Sequence, residues 1–119
     1  MEKKILYVDD NEEMLLTVAD LLKASGYSVL TANDATAALH KTEGAVLGLI
    51  LLDLNLAGEN GVMLLRFFKR NHPDVPIIIY TGETHDQATI ANLLKQGASH
   101  YLRKGSNDSL LEAIRKSFR

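Results

Sequence analysis

Leu47-Gly48-Leu49-Ile50-Leu51-Leu52-Asp53 is an unbroken apolar run that stops at an aspartate. It carries neither a helical stripe nor an apolar/polar alternation, which is the pattern of a strand buried on both faces of a parallel sheet. Ile5 to Val8 repeats the arrangement and ends in Asp9 and Asp10. A third run, Ile77 to Tyr80, follows Pro76, and weaker candidates lie at Ser28 to Ala32 and Ser99 to Leu102, so the chain reads as about five strands.

Helical spacing fills the gaps. Leu15, Val18 and Leu22 follow the candidate cap Asn11, Glu12 and Glu13 suit the first turn, and Gly26 ends the helix. The same grammar returns at Ala35 to Glu43 before Gly44, Gly61 to Asn71 before Pro73, Asp86 to Gln96 before Gly97, and Asn107 to Phe118, where Leu110, Leu111, Ile114 and Phe118 form one stripe. Strand and helix alternating five times predict right-handed βαβ units and an α/β fold with an open, doubly wound, five-stranded parallel sheet. In such sheets ligands bind beyond the carboxyl ends of the strands, where strand order reverses.

The bulk numbers agree. With 119 residues, 46% hydrophobic and 24% charged, the chain reads as a single domain, residues 1–119, with one sizeable core. Thirteen basic and fifteen acidic residues give a formal charge of −2, so nothing draws a nucleic-acid backbone or an anionic membrane to its surface. There is no cysteine, hence no disulfide framework and no thiolate site. The longest apolar run, Ala45 to Leu52, is far short of the roughly 20 residues of a membrane span. The first residues do not form a signal peptide, and the expected location is the cytoplasm.

The strand ends carry the chemistry: Asp9 and Asp10, Asp53, Thr81 and Lys104 converge on one edge. Any one of these is an ordinary strand-end or capping residue; five together are not. Three carboxylates crowded there repel by about 4 kcal/mol per pair at 4 Å and an effective dielectric near 20. A cation or a proton must relieve them. With oxygen ligands only, and no His or Cys at these positions, Mg²⁺ is the expected ion, and it seeks phosphoryl oxygen. Asp53 then suits a nucleophile forming an aspartyl phosphate, with Lys104 and the ion neutralising the transferring group.

The segments ILYVDDNE, LILLDLNLAGENG, IIIYTGE and ASHYLRKG resemble, in order and spacing, the motifs of two-component response-regulator receiver domains, single-domain chemotaxis regulators among them. The resemblance implies a flavodoxin-like fold of receiver type. It also implies that Asp53 accepts phosphate from a histidine kinase or phosphotransfer protein, and that Asp10, Asp53 and the main-chain carbonyl of Asn55 bind Mg²⁺. Asp9 would hold a metal-bound water. Thr81 would bond a phosphoryl oxygen, Lys104 would pair with the phosphate or, before it, with Asp53, and Tyr101 would be the switch aromatic. Gly82 would leave room for the phosphoryl group, and Asn55 and Glu83 would influence its lifetime. Implied partners are the kinase, a downstream effector domain or protein and, through the later helices, a second copy. Two residues depart from the family pattern: Ala57 and Gly105 stand where proline is common. The second replaces a Lys-Pro bond that is usually cis, and because a non-proline cis bond costs about 3 to 4 kcal/mol, a trans Lys104–Gly105 bond in a looser loop is expected.

Other features point to nothing sharper. His40, His72, His85 and His100 lack ligand spacing and read as surface or loop residues. Phe67 and Phe68 read as packing. Arg115, Lys116 and Arg119 complement a helix dipole, and with Lys95 and Arg103 they offer a basic docking face as a lesser reading. A flavin module would need a phosphate loop where Asp9 to Glu13 put carboxylates, and a dehalogenase-type phosphatase would need its Asp-x-Asp after one strand. The serious rival is a receiver-like interaction module without phosphate control.

Overall fold

The computed structural model describes residues 2–56 and 59–118; Ala57 and Arg119, both singled out above, lie outside the described residues. Five strands, β1 (Lys4–Val8), β2 (Ser28–Ala32), β3 (Leu47–Leu52), β4 (Ile77–Thr81) and β5 (His100–Arg103), form one parallel sheet in the order β2-β1-β3-β4-β5. Strand order reverses between β1 and β3, so the crevice expected for ligands opens at the ends of those two strands.

Helices α1 (Glu12–Ala24), α2 (Ala35–Thr42), α3 (Gly61–Asn71), α4 (Gln87–Lys95) and α5 (Asn107–Ser117) complete the doubly wound layers. Alternation along the strands sorts the core. Ile5, Tyr7, Leu49, Leu51, Ile78 and Tyr80 meet Leu15, Val18 and Leu22 of α1 and Leu110 and Ile114 of α5. Leu6, Val8, Ile50, Leu52, Ile77 and Ile79 meet Ala38 of α2, Leu64, Leu65 and Phe68 of α3 and Leu93 of α4. Every residue of β3 and β4 is buried, each large side chain contributing about 2 kcal/mol of burial.

The helix starts follow local chemistry. The side chains of Asn11, Asp34, Asp86 and Ser106 accept from the main-chain N–H groups of Met14, Ala37, Thr89 and Ser109 at 3.1, 2.7, 2.7 and 3.2 Å, each such cap stabilising its helix by about 1 kcal/mol.

Several boundaries differ from the sequence reading. Strand β1 begins at Lys4, β4 extends to Thr81, and β5 is displaced by one residue to His100–Arg103. The last helix stops at Ser117, because Phe118 leaves helical geometry (φ −60°, ψ 128°) and lays its ring 5.2 Å from that of Tyr27. A two-residue antiparallel pairing of Asn55–Leu56 with Glu59–Asn60, not anticipated, follows Asp53. Phe68 is fully buried as expected, whereas Phe67 keeps 40% of its surface exposed. Among the described residues no peptide bond is cis, and Gly105 sits at φ +138°. Proline is locked near −65°, so the loop after Lys104 follows a path that the family's common proline cannot take. No described helix is long and apolar enough to cross a membrane.

Candidate functional site

Parallel pairing brings the strand ends together. The Asp53 N–H donates to the Val8 carbonyl at 2.9 Å, the Asp9 N–H to the Ala32 carbonyl at 3.1 Å, and the Lys104 N–H to the Thr81 carbonyl at 2.8 Å. Asp9, Asp10, Asp53, Asn55, Thr81, Gly82, Glu83 and Lys104 consequently line one cleft of about 250 Å³. Asp9, Asp53 and Thr81 are buried, while Asp10 stands exposed at the mouth.

Asp53 is held from two sides. Its Oδ1 accepts the Asn55 N–H at 3.1 Å and its Oδ2 accepts the Lys104 ammonium at 3.2 Å. Asp9 is held more tightly still. Its Oδ1 accepts the Asn11 N–H at 3.0 Å, and its Oδ2 accepts both Lys104 Nζ at 2.7 Å and the Tyr7 hydroxyl at 2.6 Å. The contact of Lys104 with Asp53 that the resemblance implies is present, but it is not the ammonium's shortest. Lys104 bridges two carboxylates and lies nearer the deeper one, because Asp9 has no exposed surface and needs the ammonium more.

The protonation balance reflects this crowding. Burial raises the pKa of Asp53 above its usual value; the Asn55 N–H and Lys104 oppose the rise, and Asp9 adds to it. Burial works against the charge on Lys104, but the hydrogen bond to Asp9 and the fields of Asp53 and Asp9 outweigh it, so the ammonium is held above its ordinary 10.5.

One oxygen from each of Asp9, Asp10 and Asp53 lies within 4.8 Å of the other two. Mg²⁺ binds oxygen at about 2.1 Å and keeps several waters, so three carboxylate oxygens this close fit such an ion. The set is all oxygen, as a hard cation requires.

Thr81, Glu83 and Tyr101 form a connected path. Thr81 Oγ1 accepts the Glu83 N–H at 3.1 Å, the Glu83 carbonyl accepts the Tyr101 hydroxyl at 3.3 Å, and that hydroxyl also bonds His85 Nδ1. Tyr101 is half-buried on β5. A methyl group placed on Gly82 would meet only the Lys104 side chain, at 3.8 Å.

Two residues at or beside the site escaped the sequence reading. His85 reads as a surface or loop residue and does lie in the loop before α4, half-buried, but its ring stands edge-on to Tyr101 at 5.6 Å and its Nε2 lies 3.7 Å from Glu83, contacts that the sequence does not show. Tyr7 was taken only as part of a strand. The signal was present, since residues two apart on a strand share a face and Tyr7 precedes Asp9 by two. Arg115, Lys116, Lys95 and Arg103 are exposed, as expected of charged helix ends and faces.

The sequence profile of the response regulator receiver domain matches residues 5–115. The nitrogen assimilation regulatory protein NtrX of Azorhizobium caulinodans is 36% identical over 116 residues, which are 96% of this chain and 25% of that protein. A response regulator protein from Burkholderia pseudomallei, crystallised with a phosphorylated aspartic acid, a calcium ion and citrate, is similar with a TM-score of 0.86 at 31% identity, covering 99% of this chain and 67% of that one. TrrA of Thermotoga maritima, in complex with Mg²⁺ and BeF, is similar with a TM-score of 0.86 at 28% identity, covering 98% and 99%. The chain spans between 16% and 49% of the length of the first curated relatives it matches.

Proposed function

Because the chain belongs to the response regulator receiver domain family, we propose that it is a phosphorylation switch of a two-component system, acting in the cytoplasm as one receiver domain over residues 1–119. Asp53 is the phosphoacceptor. One of its oxygens attacks the phosphorus of a phosphohistidine on a histidine kinase or phosphotransfer protein, the P–N bond breaks, and the imidazole leaves. The observation that carries this reading is the Lys104 ammonium lying within 3.2 Å of the Asp53 carboxylate, in a cleft where three carboxylates converge. The phosphorylated aspartic acid of the Burkholderia protein and the Mg²⁺ and BeF of TrrA agree with it.

Asp10, Asp53 and the main-chain carbonyl of Asn55 would hold Mg²⁺, with Asp9 acting through a water. When bound, the ion neutralises charge on the transferring phosphoryl group and on the carboxylates around it. Lys104 turns to a phosphoryl oxygen, its flexible stem allowing the short swing. The Thr81 hydroxyl donates its proton to another phosphoryl oxygen while still accepting from the Glu83 N–H, and its displacement pulls Glu83 and reaches Tyr101 through the Glu83 carbonyl. A swing from 1:99 to 99:1 between two states needs about 5.5 kcal/mol. A few charge-assisted hydrogen bonds of about 1.5 to 3 kcal/mol each supply that. The moving Tyr101 then alters the surface offered to an effector domain or protein. Direct nucleic-acid binding by this domain is not part of the proposal, given its net charge of −2.

Incubation with acetyl phosphate and Mg²⁺, read by intact mass, tests the assignment. The wild type should gain about 80 Da, one phosphoryl group, in a base-labile adduct that Asp53→Asn does not form. Equal labelling of Asp53→Asn would show Asp53 to be the wrong residue. No labelling of either protein would favour the rival, an interaction module without phosphate control.

A further inference from the structure

Tyr7 touches the acidic cluster and yet has no task in the reading above. Its side chain is fully buried. Its hydroxyl donates to Asp9 Oδ2 at 2.6 Å, the oxygen that Lys104 Nζ also occupies at 2.7 Å. Behind it the ring of Tyr80 lies 6.4 Å away, tilted by 59°, and Lys104 Nζ stands 5.9 Å from the centre of that second ring. The two buried tyrosines thus form a floor under the ammonium, on the face of the sheet covered by α1 and α5.

A buried carboxylate oxygen stripped of its donors is costly, and the cost falls on whichever movement strips it. In the resting site Lys104 leans toward Asp9. To reach a phosphoryl group on Asp53 it must leave Asp9 Oδ2; the other oxygen, Oδ1, accepts the Asn11 N–H. A donor that remains on Oδ2 lowers the cost of that departure, and Tyr7 is such a donor. Strand alternation places residues 7 and 9 on one face, and a tyrosine is long enough to bring a hydroxyl up from the core without opening the site to solvent.

Resting on the phosphoacceptor reading, we propose that Tyr7 is a positioning residue: its hydroxyl stays on Asp9 and so releases Lys104 to the phosphoryl oxygens. Removing the hydroxyl leaves Lys104 as the sole side-chain donor to Asp9 Oδ2 among the described residues and ties the ammonium there. The affected step is therefore capture of the phosphoryl group, not capture of the metal.

The experiment uses wild type, Tyr7→Phe, Asp9→Asn and the double variant. Mg²⁺ affinity is measured by calorimetry, and beryllofluoride affinity at saturating Mg²⁺ by ¹⁹F NMR. Tyr7→Phe keeps the ring, and it should weaken beryllofluoride binding about tenfold while changing Mg²⁺ affinity less than about threefold. In the Asp9→Asn background, where the Asp9 carboxylate no longer competes for Lys104, the tenfold effect should disappear. Indifference of beryllofluoride affinity to Tyr7→Phe overturns the proposal, as does a loss that persists in the Asp9→Asn background, since a packing role would act in both. Should Tyr7→Phe fail to fold, the wild type carries the test. The proton NMR signal of the buried Tyr7 hydroxyl, bonded to Asp9, must persist when Mg²⁺ and beryllofluoride are added, and its loss overturns the proposal. A wild type that binds no beryllofluoride with Mg²⁺ overturns the phosphoacceptor reading itself, and this inference with it.

Discussion

At the scale of single residues the site is a contest between burial and pairing. Asp53 is 4% exposed, and burial lifts its carboxyl above the ordinary 3.8 even with Lys104 in contact. An acid whose pKa rises on folding binds its proton more tightly when folded. It therefore adds stability below its unfolded value and loses that contribution as pH climbs through the raised one. Lys104, raised above 10.5, loses its contribution only at pH beyond that figure, outside this window. Removing the Asp53 charge should accordingly stabilise the metal-free protein. We expect Asp53→Asn to melt roughly 4 °C higher at pH 7, with the gain shrinking at pH 4, as followed by calorimetry. A lower melting temperature at pH 7 would mean that pairing with Lys104 outweighs burial. The convergence of Asp9, Asp10, Asp53, Thr81 and Lys104 was legible in the sequence because each ends a strand or lies within two residues of its end, and strand ends share an edge. The division of Lys104 between two carboxylates was not legible, since it depends on half an ångström and on which acid is deeper.

At the scale of elements the agreement is good where periodicity is strong and poor where it is absent. The fully apolar β3 and the striped α1 and α3 stand out in the sequence, and α3 spans Gly61–Asn71 as read. The two-residue pairing after Asp53 escaped, because so short a strand shows no alternation. Phe118 was placed in the last helix because it continues the stripe, yet its ring turns aside to Tyr27. The glycine opening α3 has a packing role that spacing alone does not reveal. A Cβ on Gly61 would lie 2.6 Å from both Cα and the carbonyl oxygen of Leu54, main-chain atoms that cannot swing away. Gly61→Ala should cost about 2 kcal/mol in urea unfolding. Because Leu54 directly follows Asp53, the variant should also label more slowly with acetyl phosphate. Unfolding and labelling at wild-type values would show the α3 start to be more yielding than its contacts imply.

For the molecule as a whole, the topology follows from the alternation of elements. The order β2-β1-β3-β4-β5 sets the reversal beside β1 and β3, and the acidic strand ends meet there. What alternation could not disclose was the contents of the layer beneath. The chain has no tryptophan and four tyrosines. Two of these, Tyr7 and Tyr80, lie under the acidic cleft, while Tyr27 packs against Phe118. A phenol hydrogen-bonded to a carboxylate emits weakly, and its emission changes as a nearby cation draws off the carboxylate's charge while the bond itself stays in place. The domain thus contains its own optical gauge: excited in the near ultraviolet without any dye, it should brighten or dim saturably as Mg²⁺ is titrated in, and Tyr7→Phe should remove most of the signal. The hydroxyl that braces Asp9 would make every filling of the cleft visible from outside.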